Sequence, residues 1–423
     1  MRNNEPKIPF PQPFEERKQY YFASCPLGME DLLHSELQQG LLANGAREER
    51  GGVLFRGTMK KSLPFLFKSR IASKVFWRLK TLIVEDPEDL YRQVKKLHLD
   101  YYMDEKGTLK ITTIFDHSLI KNRSSLFKNS QFISLKVKDA ICDYWKEKKG
   151  TRPDIDKEDA DYPLMLRVTR EGKKFKAHLF LDICGVPLSH RGYREPGAPA
   201  PLRENLAAAL VMKTDFDPKK DLFMDSMCGT GTFLIEAALI AGNIPPGHLK
   251  LRKIIEQDRA PLCFQRQSWF HNEKNLENWF YQWAQDEHQS CIEKISELPE
   301  GQFFGMELSS SSIRAAKANI RKSYLSAVIQ IDKGNALDWK PIQDPPGLII
   351  CNPPYGVRMG DQKKLEDLYF DYGEHLKNHF KGMRAYIFTG SIELRKKIRL
   401  QAASKYPVKN GNLDCQLVRY NLY

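Results

Sequence analysis

The strongest chemical signal in the sequence is a tetrapeptide that follows an apolar run. Residues 348–351 predict a short buried strand, and Asn352-Pro353-Pro354-Tyr355 comes directly after it. The two prolines end the strand and stiffen the turn. Open α/β sheets bind ligands at the carboxyl ends of their strands. We therefore predict a rigid turn that presents an amide, a backbone carbonyl and an aromatic ring to a ligand.

Two further segments carry candidate ligand contacts. Residues 221–238 read as a strand, a glycine turn and a helix, so that the backbone can approach a ligand and the helix offers free N–H groups to a carboxylate. The third glycine of a dinucleotide fingerprint is missing. A second strand is predicted over 303–308, where Glu307 is placed to accept the hydroxyl groups of a ribose. A nucleoside ligand is the common interpretation of both segments.

These segments resemble the motifs of S-adenosylmethionine (SAM)-dependent methyltransferases. The tetrapeptide is similar to their amino-methylating signature, and 225–232 is similar to their motif I, with Ser226 in place of the usual proline. The family usually has Asp at position 335 to accept from the adenine amino group. Asn335 keeps a carbonyl acceptor, and Asp338 is the alternative. The resemblance implies SAM as cofactor, bound by Asp225, Met227, Cys228, Gly229, Gly231, Thr232, Glu307, Leu308, Asn335, Ala336 and Asn352.

The chemistry of such an enzyme is mainly positioning, because the methyl group of SAM needs no further activation. An exocyclic base amine is a poor nucleophile, since its lone pair is delocalised into the ring. We predict that the Asn352 side-chain oxygen and the Pro353 carbonyl accept its N–H bonds, and that Tyr355 stacks on the flipped-out base. The predicted catalytic residues are Asn352, Pro353, Pro354 and Tyr355. Cys351 is interpreted as a buried thiol, not as a nucleophile for carbon-5 methylation.

Composition narrows the class of protein. The 423 residues carry a net charge of +13, which indicates a polyanionic partner such as nucleic acid. No apolar run approaches the ~20 residues of a membrane span, and the polar, proline-rich N-terminus lacks a secretory core. The eight cysteines form no CxxC pair and no zinc spacing. We predict a reducing cytoplasm, no membrane association and no metal.

The first half of the chain must then supply the nucleic-acid contacts. Strand, helix, strand and helix alternate over 20–69, which predicts a small α+β layer. Cations alternate with apolar residues over 70–80. Two interpretations fit this pattern equally well. The segment is either an edge strand with a charged solvent face or a surface that contacts a nucleic-acid backbone. The composition alone does not separate RNA from DNA.

A second resemblance covers this half. The segments FASCPLGMEDLLHSEL (22–37), TRPDID (151–156) and GVPLSHRGYR (185–194) resemble the N-terminal region of THUMP-domain RNA methyltransferases. In that family a ferredoxin-like subdomain and a THUMP domain together capture RNA, chiefly through shape and phosphates. The implied RNA contacts are Lys74, Arg78, Lys80, Lys121, Arg123, Lys136, Arg191 and Arg194.

The resemblance implies a division into a leader (1–18), a ferredoxin-like subdomain (19–66), a THUMP domain (67–190) and an α/β, class I Rossmann-like methyltransferase domain (191–423). It is closest to the bacterial enzymes that form N2-methylguanosine in 23S rRNA, in a short form with one methyltransferase domain. A tRNA substrate, DNA adenine-N6 methylation and a non-catalytic RNA-binding or chaperone role stay open. The aromatic-rich insert 248–291 is predicted to pack as a cap, with base stacking as the alternative.

Overall fold

The computed structural model describes residues 14–40, 45–116, 119, 127, 129–195, 202–256, 260–341, 347–355 and 362–423. Within these ranges fourteen strands form two sheets of seven, one in each half of the chain. The predicted RNA contacts Lys121 and Arg123 lie outside the described residues. None of the helices that the structure describes is long and apolar enough to cross a bilayer.

The first sheet has the order β2-β3-β1-β4-β7-β6-β5. Its strands are β1 (Gln19–Ser24), β2 (Arg47–Glu49), β3 (Gly52–Gly57), β4 (Lys74–Val84), β5 (Leu109–Phe115), β6 (Tyr162–Glu171) and β7 (Lys174–Asp182). Neighbouring strands are antiparallel except β5 and β6, which are parallel. The two predicted N-terminal units therefore share one hydrogen-bonded sheet.

One face of this sheet is covered by helices. They are α1 (Glu30–Gly40), α2 (Met59–Lys68), α3 (Pro87–Lys95) and α4 (Ser130–Lys149). Their apolar residues, such as Leu33, Leu63 and Ile133, join Tyr21 and Trp77 of the strands in one buried cluster. The opposite face carries a much smaller cluster around three buried side chains, Phe22, Met165 and Phe180.

The basic strand β4 lies in the middle of the sheet. Phe22 of β1 faces Phe76 on one side, and Asp182 of β7 faces Phe76 on the other. The interpretation of 70–80 as an edge strand is therefore wrong, because its partners come from distant parts of the chain. The predicted boundary at residue 66 falls within α2, and the division into 19–66 and 67–190 stays a prediction.

The second sheet has the order β10-β9-β8-β11-β12-β14-β13. Its strands are β8 (Leu222–Asp225), β9 (Phe303–Glu307), β10 (Ile329–Lys333), β11 (Gly347–Cys351), β12 (Arg384–Thr389), β13 (Ala402–Asn410) and β14 (Leu413–Asn421). The first five strands in this order are parallel to one another, and β14 is antiparallel to both β12 and β13. Counted from β8, the order is 3-2-1-4-5-7-6. The predicted α/β fold class is confirmed.

The strands β8 and β11 are buried along their whole length, as expected for parallel strands between helical layers. The helices of this half are α5 (Glu204–Met212), α6 (Thr232–Ala241), α7 (His248–Ile255), α8 (Ser268–Asn272), α9 (Lys274–Ser296), α10 (Ser310–Lys322), α11 (Gln362–His379) and α12 (Ile392–Lys397). The strand order reverses between β8 and β11, which is where such sheets bind ligands.

The aromatic insert joins the two halves. The Trp269 ring packs on Trp77 at a centroid distance of 5.3 Å, and the Phe280 ring packs on Phe67 at 6.0 Å. Beside them the Gly247 N–H donates to the Phe67 carbonyl at 2.9 Å. A Cβ on Gly247 would lie 2.8 Å from the Phe67 backbone, so only glycine allows this approach. The buried rings hold the halves together and are closed to a substrate base.

Candidate functional site

The parallel strands bring their carboxyl ends to one cavity of about 700 Å³. The segments that follow β8, β9, β10 and β11 all contribute to it. The described residues that line it are Leu202, Asp225, Ser226, Met227, Cys228, Gly229, Thr230, Thr232, Phe233, Glu307, Leu308, Gly334, Asn335, Ala336, Asn352, Pro353, Pro354, Tyr355, Leu368, Asn410 and Leu413. Of the residues predicted to contact the cofactor or to act in catalysis, all but Gly231 belong to this lining.

The glycine turn after β8 forms one wall. Gly229 and Gly231 have φ of +53° and +79°, a left-handed backbone that disfavours other residues. The Cys228 N–H donates to the Met306 carbonyl of β9 at 3.0 Å, which holds the turn against the neighbouring strand. Gly231 is the cap residue directly before α6, and it has no side chain that could cap the helix. The first N–H groups of α6 are therefore open to an anionic group.

Glu307 is fixed at the end of β9. One carboxylate oxygen accepts from the Gly229 N–H at 2.9 Å, and the other accepts from the Ser309 N–H at 2.8 Å. A carboxylate oxygen has more than one acceptor position, so both oxygens can also accept from ribose hydroxyls. Leu308 follows with 68 % of its surface exposed, which provides an apolar contact at the rim.

Asp225 closes the floor of the cavity. It is 1 % exposed, and its carboxylate accepts from the Met227 N–H at 3.3 Å. Burial, and to a smaller degree the charge of Glu307, raises the pKa of Asp225 to about 8. The site therefore favours the protonated carboxyl group, which can donate as well as accept a hydrogen bond.

Asn335 and Asp338 are separated by the structure. Asn335 lines the cavity, and its side-chain oxygen accepts from the Leu337 N–H at 3.1 Å. Asp338 is exposed and does not belong to the lining. The geometry favours Asn335 of the two predicted adenine contacts.

The turn after β11 faces the glycine turn. The Asn352 side-chain oxygen is buried and has no hydrogen-bond partner in the part of the chain that the structure describes. Tyr355 packs against Gly390, where a Cβ would come within 3.0 Å of its ring. The Tyr355 hydroxyl accepts from the Asn410 amide at 3.5 Å. An unsatisfied amide oxygen and a supported aromatic ring thus border the same cavity.

Two contributors to this site carry no recognisable sequence signal. The hydroxyls of Ser226 and Tyr372 are 2.6 Å apart and buried, so a hydrogen bond replaces the stiffness of the proline that the family usually has at 226. Asn410 and Leu413 reach the cavity from the turn between β13 and β14. The Asn-Gly pair at 410–411 is typical of a hairpin turn, but it does not indicate where the hairpin lies.

Cys351 lies beneath the turn with no exposed surface, and burial raises the pKa of its thiol to about 12. The prediction of a buried thiol is confirmed. Within the described ranges no group of three or more His, Cys, Asp or Glu side chains could hold a metal ion. That no metal takes part stays a prediction.

The predicted RNA contacts are not brought together in the same way. Lys80 is exposed, and Arg78 lies over the Tyr20 ring at 4.1 Å on the less covered face of the first sheet. Lys74 donates to Asp182 at 2.5 Å and to the Gly185 carbonyl at 2.6 Å. The Lys74 ammonium is thus held by two partners within the chain, although 27 % of its side chain is exposed.

Two more of these cations are paired within the chain. Lys136 forms an ion pair with Glu88. Arg194 donates to Glu204 at 2.9 Å and to the Leu202 carbonyl at 3.0 Å, which fixes one wall of the cavity. Their roles in RNA binding stay predictions, but each would have to exchange an existing partner for a phosphate.

The prediction of Arg191 as an RNA contact is wrong. The side chain is 2 % exposed, and its guanidinium lies 3.6 Å from the Glu236 carboxylate. It also donates to the carbonyls of Leu188 and Arg70 at 2.9 and 2.6 Å. These contacts tie the linker to both halves of the molecule, so that Arg191 has a structural role.

Comparison with known families decides the class. The profile of the RMKL-like methyltransferase domain matches residues 191–419, more than half of the chain. This chain belongs to the RMKL-like methyltransferase family. The THUMP domain matches residues 84–172, and the RlmL ferredoxin-like domain matches residues 20–76. The predicted THUMP-domain methyltransferase family and its order of domains along the chain are confirmed.

Individual relatives agree. The ribosomal RNA large subunit methyltransferase K/L of Syntrophotalea carbinolica is 33 % identical over 95 % of this chain and 53 % of its own length. A putative RNA methyltransferase of Synechocystis sp. is 31 % identical over 98 % of this chain and 100 % of its own. This chain spans about half the length of the K/L relatives.

A solved structure shows the same fold. A putative methyltransferase complexed with SAH has a TM-score of 0.76 and 24 % identity, over 96 % of this chain and 99 % of the other. The family match confirms the predicted methyltransferase domain, and the SAH of that solved structure is the demethylated form of the predicted cofactor, SAM. The cavity fits that cofactor on its own chemistry: a glycine turn, open helix N–H groups, a fixed carboxylate at a strand end and an orphaned amide oxygen. When bound, SAM supplies a methyl group on a positively charged sulfur.

Proposed function

We propose that this chain transfers the methyl group of SAM to the exocyclic N2 of a guanosine in structured RNA, with 23S rRNA as the substrate. One observation carries the proposal: the Asn352 side-chain oxygen is buried at the cavity wall without a partner among the described residues. A buried acceptor that lacks a donor is costly. The N–H of a base amine would satisfy it.

The proposed roles follow from the turn. Asn352 and the Pro353 carbonyl accept the two N–H bonds of the amine and direct its lone pair towards the sulfonium methyl. Tyr355, supported by Gly390, stacks on the base. Glu307 and the glycine turn hold the donor in place, so the reaction is accelerated mainly by alignment. The proton of the amine leaves to solvent after transfer.

The choice of RNA rests on the first half of the chain. The THUMP match, the net charge of +13 and the name of the K/L relatives, which refers to large-subunit rRNA, all support it. The eight cysteines are free and buried, which supports a reducing cytoplasm as the location. Guanosine in tRNA is the nearest competing substrate, and DNA adenine is the more distant one.

The substrate is tested by nucleoside mass spectrometry of rRNA and tRNA from a strain that lacks the gene. We expect N2-methylguanosine to disappear from one position of 23S rRNA and to return with the wild-type gene. Loss of the mark from tRNA alone would move the proposal to the competing substrate. Intact RNA marks, together with methylation of DNA by the purified protein, would overturn it.

The site is tested by Asn352→Ala. We expect kcat to fall by about 10²–10³, the usual cost of removing one positioned polar group from a reacting centre. Asn278→Ala, which removes the same side chain from the exposed surface of α9, is the matched control. Methylation by N352A at the wild-type rate would refute the assignment.

A further inference from the structure

A second cavity, of about 390 Å³, lies at the junction between the two halves. Its walls come from the end of β7, the linker that follows, α7, and the segment before α8. The residues that matter here are Lys250, Lys253 and His190, with Glu158 and Asp159 among the other lining residues. None of these residues belongs to the catalytic cavity.

Lys250 is unusual among the cations of this protein. Only two cationic side chains are fully buried in the described part of the chain, Arg191 and Lys250, which are 2 % and 6 % exposed. Arg191 faces the Glu236 carboxylate. Lys250 forms no ion pair or side-chain hydrogen bond with any residue that the structure describes. A buried ammonium that lacks an ion-pair partner is unfavourable.

The surroundings of Lys250 increase this cost. Burial, and then the nearby Arg191 guanidinium, lowers the pKa of Lys250 to about 7. The nearby carboxylates compensate this cost only in part, because Glu204, which raises the pKa of Lys250, is itself paired with Arg194 at 2.9 Å. Asp159 is paired with Arg266 at 2.8 Å, and Glu158 is exposed at the mouth. An anion that enters the cavity would restore the charged ammonium and satisfy it.

The cavity opens next to further cations. Lys253 lies on α7 one helical turn after Leu249, and its side chain is exposed. His190 is exposed at the rim, where partial burial of its ring lowers its pKa; the Glu204 carboxylate raises that pKa, and the charges of Lys250 and Arg203 lower it further. Arg203 follows Leu202, which lines the catalytic cavity. The exposed Lys253 therefore places a positive charge at the rim of the Lys250 cavity.

We propose that the Lys250 cavity is a phosphate-binding subsite that holds a backbone phosphate of the RNA substrate, with Lys250 as the buried contact and Lys253 as the contact at the mouth. The proposal rests on the proposed RNA substrate. It gives the linker region a direct part in substrate binding. It also assigns to Lys250 the role that the sequence alone suggested for its neighbour Arg191.

The test compares RNA binding and stability in Lys250→Met. We expect roughly tenfold weaker binding of a methylatable rRNA transcript at pH 7, and a slope of log K against log salt that is smaller by about 0.9. We expect the Tm to stay unchanged or to rise, because methionine removes a buried unpaired amine. Lys219→Met, an exposed lysine before β8, is the matched control and should change neither slope nor affinity.

The outcomes separate this proposal from the proposed function. A wild-type protein that binds and methylates no RNA would overturn the proposed function. A wild-type protein that binds RNA, with equal affinity and slope in K250M, would overturn the subsite alone. Stabilisation of wild type but not K250M by millimolar phosphate, with RNA affinity equal in both, would assign the cavity to free phosphate and also overturn it.

If K250M folds poorly, Lys253→Met decides, because its side chain is exposed and contributes little to folding. We expect K253M to lower the salt slope by the same amount with a smaller loss of affinity. An unchanged slope in K253M would then overturn the proposal.

Discussion

The two described sheets have seven strands each, yet they differ in how well sequence motifs predict their functional residues. In the second sheet the strands β8 to β12 are parallel, so each ends at the same edge. Polar residues that follow separate strands, such as Asp225, Glu307 and Asn352, are therefore brought together. In the first sheet most neighbouring strands are antiparallel and end at opposite edges. Residues that follow separate strands are therefore not brought to one place, and the surroundings of each cation depend on its own contacts.

The cations of the first half show the consequence. Lys80 is exposed, whereas the partly buried Lys74, only six positions earlier, is bonded to Asp182. Arg191 is buried beside Glu236, although its sequence context suggested a surface contact. Charge in the sequence indicates that a polyanion binds, but only the tertiary structure shows which cations can reach it.

Among the variants that test this difference between buried and exposed cations, Arg191→Ala is expected to have the largest effect on stability. Removing the guanidinium leaves the Glu236 carboxylate buried with the Tyr193 hydroxyl as its hydrogen-bonding partner, so the free energy of unfolding should fall by about 3–5 kcal/mol. Urea denaturation measures this change, with Arg191→Lys as the charge-retaining control. Normal stability with a reduced salt slope of RNA binding would instead restore Arg191 as an RNA contact.

A smaller effect is expected for Tyr355→Ala in the second sheet. Loss of base stacking should weaken substrate binding by about 1–3 kcal/mol, seen as a higher KM for RNA. Tyr355→Phe keeps the ring and removes only the hydroxyl contact with Asn410, so its KM should stay close to that of wild type. Equal defects in the two variants would show that the hydroxyl, not the ring, is the important group.

The smallest effect is expected for Lys80→Ala, at an exposed position of β4. An exposed lysine that contacts one phosphate should lower the salt slope by about 0.9, with no change in stability. Filter binding at several salt concentrations measures the slope, and Lys219→Ala is the control. If K80A binds RNA like wild type at every salt concentration, Lys80 is not an RNA contact.

Local sequence predicted the second half well because its site is built from strand ends. The strand predicted over 303–308 is observed as Phe303–Glu307, and the run before Asn352 is observed as Gly347–Cys351. The contribution of Asn410 and Leu413 could not be predicted, since it depends on where a distant hairpin packs. The Ser226–Tyr372 hydrogen bond could not be predicted for the same reason, since its partners are 146 positions apart in the sequence.

In the first half the secondary structure could be predicted from the sequence, but the pairing of the strands could not. The alternation in β4 is real, but it marks a strand with one face on the core and one less covered face, not a strand at the margin. Its neighbours β1 and β7 are separated by more than a hundred residues of chain. Only long-range contacts determine that order.

The close approach of Gly247 to Phe67 bears on how this protein can be dissected. The contact leaves no room for even a methyl group, and it is flanked by aromatic rings contributed from either side of the linker. Cutting the chain near residue 190 would remove this contact from both fragments and expose apolar surfaces that favour aggregation. We therefore expect the halves to melt in a single cooperative transition, and biochemical work to require the intact polypeptide.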